Sequence, residues 1–149
     1  MNARRMSTVL LSVALSLPLL SPARAESPKT EIKGAAILDH ACGKVAVKYM
    51  ELVHDGKMEE ATKLGTQEMQ DQWKAMSAED RTMMSGMMKE MSKTKAAFSA
   101  EIKANGLLVV EGDKATLTVT KEHKDANGSG TSTQTQRYRL DGATCRISR

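Results

Sequence analysis

The apolar residues of this chain change period once, near Lys95, and that change limits the fold to helices followed by strands. Before Lys95 the spacing is helical. Leu38, Cys42, Val45, Tyr49 and Leu52 form one stripe and predict a first helix over residues 33–54, ended by Asp55-Gly56. Met58, Ala61 and Leu64 predict a short second helix that Gly65 stops, and Met69, Trp73 and Met76 form a third stripe. Ser77, followed by Glu79 and Asp80, has the chemistry of an N-cap with acids in the first turn, and predicts a helix over 78–94. From Ala96 the period reads as two. Phe98, Ala100, Ile102 and Ala104 alternate with polar neighbours up to a turn signal at Asn105-Gly106. Strands are predicted at 107–110, 115–122 and 131–140, with a polar, glycine-containing loop at 125–130 and a last strand after Asp141-Gly142. In the second of these, Leu117 and Val119 face one side while Thr116, Thr118 and Thr120 face the other. The expected class is α+β: N-terminal helices packed on a curved antiparallel sheet of four to five strands.

The compartment is read from the start of the chain. Arg4 and Arg5 precede an apolar run over 9–20, broken only by Ser12, Ser16 and Pro18, and Ala23-Arg24-Ala25 supplies a small-x-small cleavage pattern. Residues 1–25 therefore read as a signal peptide, 26–32 as a flexible segment and 33–149 as a single domain. The apolar run is shorter than the ~20 residues that span a bilayer. No cysteine stands at the cut to carry a lipid, so no membrane anchor is expected after cleavage. The expected location is the bacterial periplasm or the medium.

Export changes the charge argument. The chain holds 22 basic and 18 acidic residues, and the signal removes Arg4, Arg5 and Arg24 but no acid, leaving 19 and 18. The remaining basic residues are spread along the sequence, so no phosphate-neutralising patch and no nucleic-acid partner is expected. Both cysteines, Cys42 and Cys145, survive the cut, and an even count in an exported chain predicts a disulfide.

Several segments together look familiar: Asp55-Gly56-Lys57, then Glu60-Ala61-Thr62-Lys63-Leu64, then Gly112-Asp113-Lys114-Ala115-Thr116-Leu117, and finally Leu140-Asp141-Gly142. Over most of 33–149 this order resembles the nuclear transport factor 2-like superfamily, closest in style to its exported, lumazine-binding-like bacterial domains. The resemblance implies a cone of helices and sheet. Members include isomerases and dehydratases, transport adaptors and toxin-neutralising immunity proteins. It therefore implies either a concave sheet face that holds a ligand or an outer face that dimerises or binds a protein.

The methionines are the most distinctive side chains. Met83, Met84, Met87, Met88 and Met91 crowd nine residues. Thioethers bind Cu(I), so a copper site is one reading. An adaptable apolar core or binding face is the favoured one. Met83 and Met84 cannot face the same way, so part of the cluster is expected at the surface. Arg137 and Arg139 share one side of their strand and join the candidate binding face, since interfaces favour Arg. Tyr49 and Trp73 are the candidates for lining a pocket. His40, His54 and His123 make no metal-binding spacing and read as surface or helix-end residues. No nucleophile elbow, phosphate loop or dinucleotide fingerprint occurs, and no catalytic residue, metal or cofactor is assigned. The reading is a non-enzymatic exported binding protein with a protein partner, of inhibitor or immunity type. Alternatives are an apolar-ligand domain, an isomerase or dehydratase, and methionine-based copper binding. A homodimer through the sheet face is a further expectation.

Overall fold

The computed structural model describes residues 27–125 and 128–149, and not the side chains of 123–127. The signal read at 1–25 and the tip of the loop read at 125–130 lie outside the described residues. The order of elements is β1 (Lys29–Lys33), α1 (Ala36–Asp39), α2 (Ala41–His54), α3 (Met58–Thr62), α4 (Gln67–Ala75), α5 (Ala78–Met91), α6 (Lys95–Asn105), β2 (Gly106–Glu111), β3 (Lys114–Asp125), β4 (Gly128–Asp141) and β5 (Thr144–Ser148). Helices do precede a meander, and the class is α+β.

Four boundaries differ from the sequence reading. Of the loop read at 125–130, Asp125 ends β3 and Gly128, Ser129 and Gly130 open β4, paired across from it. The segment read as flexible, 26–32, contributes most of β1, which pairs antiparallel with β2 from Lys29↔Glu111 to Lys33↔Leu107. The helix read as continuous over 33–54 is two helices. Gly34 turns the chain with φ of +62°, and His40 is extended between α1 and α2. The His40 Nδ1 accepts the Cys42 amide at 3.2 Å, so this histidine caps α2 instead of continuing α1. Residues 96–104 are not a strand but most of α6. Only Phe98 and Ile102 of that helix are buried, at i and i+4. Phe98 and Ile102 satisfy both periods, while the Ala, Lys and Glu around them favour the helix. Asn105-Gly106 is accordingly no hairpin turn. Gly106 opens β2 where a Cβ would stand 2.5 Å from the Ile102 carbonyl oxygen.

The sheet runs β1-β2-β3-β4-β5 in sequence order, every pair antiparallel. Two-residue turns close β2–β3 and β4–β5. Gly112 and Gly142 occupy their first positions, both with φ of +59°, a conformation glycine adopts without strain. The β5 edge is covered: Thr66 donates its amide to Ile147 O at 2.8 Å, and Ile147 donates to Leu64 O at 3.0 Å. Pairing with β2 ends at Val119 and pairing with β5 begins at Arg137, so the rest of β3 and β4 forms a two-stranded ribbon.

Helices cover one sheet face. Ile37, Cys42, Ile102, Leu108, Leu117, Tyr138 and Ile147 meet there, each no more than 2% exposed. The Cys42–Cys145 disulfide joins α2 to β5 with Cα atoms 5.1 Å apart, 103 residues apart in sequence. A second, smaller cluster, Leu52, Val53, Met58, Ala61 and Trp73, lies among α2, α3 and α4. No helix among the described residues is long and apolar enough to cross a membrane.

Candidate functional site

Two surfaces carry side chains that the fold itself does not use. The first is α5. Ser77 caps it, its hydroxyl accepting the Asp80 amide at 3.0 Å, and the helix packs on α2. None of its fourteen residues is buried. Met88 alone of the cluster turns inward, against the second core. Met83, Met84, Met87 and Met91 are 62%, 40%, 57% and 76% exposed. Met83, Met87 and Met91 follow at i, i+4 and i+8, so their thioethers form one stripe, with Met84 beside it. Exposed Asp80 lies one turn before the stripe and exposed Glu90 one turn after Met87. Core volume comes instead from Met58, Met50 and Met69, which pack in or against the two clusters.

The second surface is the outer face of β3, β4 and β5. Strand register places Lys114 opposite Arg139, and Arg139 opposite Arg146. One row thus crosses three strands with a cation on each. In the next row Arg137 stands between Thr116 and Ser148. With Arg149, these five basic residues line an open groove of about 1040 Å³ that reaches Gln67 and Glu68 at the start of α4. Like charges directly opposite across strands oppose pairing, so this arrangement is not what sheet stability selects. The sequence reading found the basic residues dispersed. That is true along the chain and untrue in the sheet. Half of the row was open to inference: the turn at Gly142-Ala143 fixes Asp141↔Thr144 and with it Arg139↔Arg146, whereas Lys114↔Arg139 follows from the β3–β4 connection after Asp125, which the sequence reads only as a loop. Arg137 and Arg139 were found from strand alternation, whereas Lys114 and Arg146 were missed.

The interior is packed. Tyr49 is half-buried against both clusters, and burial raises its phenol pKa. Tyr138 is buried deeper. Burial first, and the nearby Tyr49 second, push its phenol well above the ordinary range, so both stay neutral. Trp73 is buried in the second cluster and lines a smaller groove of about 470 Å³ with Met58 and Arg81. Trp73 Nε1 and Arg81 Nε have no hydrogen-bond partner among the described residues. The two pocket candidates thus share the second cluster, Trp73 within it and Tyr49 packed against it, but Tyr49 does not line the groove that Trp73 lines. The helix-end reading fits two histidines: His40 caps α2, and His54 in its last turn reaches Ser92 Oγ at 3.2 Å. The side chain of His123 lies outside the described residues.

Comparison with family models, with curated proteins and with solved structures gives no match.

Proposed function

We propose that this chain is an exported, non-catalytic binding protein whose partner is another protein, docked on the methionine face of α5. The observation that carries the reading is a fourteen-residue helix with no fully buried residue, which turns Met88 inward and holds four methionines in solvent. A contiguous exposed apolar face on a small domain marks an interaction site, and methionine suits a partner whose surface varies. The acids at Asp80 and Glu90 fit a partner segment whose apolar side chains are flanked by lysine or arginine. An inhibitor or immunity partner of a toxin or hydrolase needs a stable exported scaffold with such a face and no catalytic group. The disulfide supports a periplasmic or secreted location. Helices packed on one face of a five-stranded antiparallel sheet support the nuclear transport factor 2-like resemblance. The filled inner face favours a protein partner over a ligand held inside the cone.

The test has two stages. A photo-crosslinking residue in place of Met87, in cells that export the protein, is expected to trap a protein that the same residue at exposed Thr133 does not. The purified partner should then bind the Met83→Glu, Met87→Glu double variant about a hundredfold more weakly, at unchanged thermal midpoint. A trapped partner whose affinity the double variant leaves intact would overturn the reading.

A further inference from the structure

We infer that the groove on the outer face of β3–β5 is a second binding site, for an acidic peptide segment whose carboxylates sit on the Lys114–Arg139–Arg146 row. The inference does not rest on the α5 reading. That helix packs on α2 in the helical layer, whereas the groove lies on the uncovered face of the sheet.

Charge comes first. Of the five cations lining the groove, only Arg139 has an ion-pair partner among the described residues: its Nη1 donates to Asp113 Oδ2 at 2.7 Å. Lys114 has Glu111 opposite it on β2, but no ion pair forms there. Arg137, Arg146 and Arg149 are likewise unpaired among the described residues. Elsewhere on the described surface some cations are paired and others, such as Lys44, Lys63 and Lys74, are not, so it is the clustering of unpaired cations that sets the groove apart. Lys48 and Lys95 both hold Glu51, and Lys93 and Lys121 both hold Glu101. Adjacent strands lie about 4.8 Å apart, so the three side chains of the row form a short ladder of donors in which Asp113 compensates Arg139 alone and Lys114 and Arg146 stay without an anion among the described residues.

The type of cation narrows the ligand. Four of the five are arginine, whose planar fork matches a carboxylate or phosphate with two parallel hydrogen bonds. Thr116 and Ser148 flank Arg137 and add hydroxyls. Two features favour carboxylates on a peptide over a nucleic-acid strand. Single-stranded nucleic acids are held by stacking as well as charge, and the one aromatic residue lining the groove, Tyr138, is 2% exposed with its side chain in the core. Glu68, Asp113 and Asp141 also stand along the groove. They oppose a continuous polyanion but leave room for a peptide, whose charges are discrete and whose backbone amides can donate to them.

The experiment uses the purified, disulfide-bonded protein and a fluorescent glutamate-rich peptide. Competitors are a single-stranded oligonucleotide of equal charge and inorganic phosphate. The peptide is expected to bind with an affinity that falls as salt rises. Arg137→Glu and Arg146→Glu should each weaken it about tenfold, at unchanged thermal midpoint. Neither substitution breaks an ion pair among the described residues, so loss of binding without loss of stability is the decisive combination. Peptide binding that ignores both reversals would overturn the proposal. So would an oligonucleotide that binds more tightly than the peptide, or displacement by phosphate at concentrations no higher than those of the peptide.

Discussion

Two glycines show how far a single Cβ is decided by its surroundings in this molecule. Gly43 is buried in the first turn of α2, where a Cβ would stand 1.8 Å from the Ile37 carbonyl oxygen and 2.6 Å from its carbon. Both atoms are backbone of α1, so nothing flexible can yield. Gly86 sits inside α5 with nothing within 4 Å of the same added atom, and its φ is negative. The same substitution therefore has opposite signs at the two sites. Gly86→Ala is expected to stabilise by about 1 kcal/mol, because alanine loses less backbone entropy in a helix. Gly43→Ala is expected to cost about 3 kcal/mol, since α1 must move off α2. Urea denaturation of the two variants beside the parent measures both. A Gly43→Ala variant as stable as the parent would mean that α1 does not pack on α2 as described.

At the scale of elements, what the sequence disclosed depends on whether one period or two fit the same residues. The sheet was legible from β2 onward because Leu117 and Val119 alternate with threonines that no helix face could gather. The cap at Ser77 was legible because its hydroxyl serves a neighbour three residues away. β1 was not legible: it is five residues with one partly buried apolar side chain, and its pairing partner lies some eighty residues later. α6 was misread because Phe98 and Ile102 are four apart, a spacing common to a strand face and a helix face. Its N-cap separates the two. Thr94 Oγ1 accepts the Ala97 amide at 3.2 Å, a bond that exists only if the chain turns helical there. Thr94→Ala is expected to cost about 1 kcal/mol and Thr94→Ser to restore most of it, read from urea midpoints. Equal midpoints for all three proteins would argue against the cap. The candidate surfaces divide the same way. The methionine stripe was visible because one helix carries all of it, whereas the cation row needs three strands in register.

For the whole molecule, the decisive contact is the one that joins its beginning to its end. Cys42 lies on the core face of α2 and Cys145 on the core face of β5, and the bond between them encloses nearly all of the described domain. Both cysteines are buried among side chains already in contact, so the native packing around them does not depend on the covalent link. The unfolded chain does depend on it. Closing a loop of this length removes about 4 to 5 kcal/mol worth of conformational freedom from that state in the chain-entropy model. The protein in a reductant, or as a Cys42→Ala, Cys145→Ala variant, should therefore keep its far-UV spectrum and lose about 4 kcal/mol of stability in urea. The dependence of stability on urea should also steepen, because the unlinked unfolded chain exposes more surface. An equal loss with an unchanged slope would place the effect in the native state instead. Either way the consequence runs to function. A domain of this size has a narrow stability margin, so both proposed binding surfaces are firmly presented only where the bond forms. The reducing cytoplasm would leave the same chain a weaker scaffold for its arginine row and its methionine face.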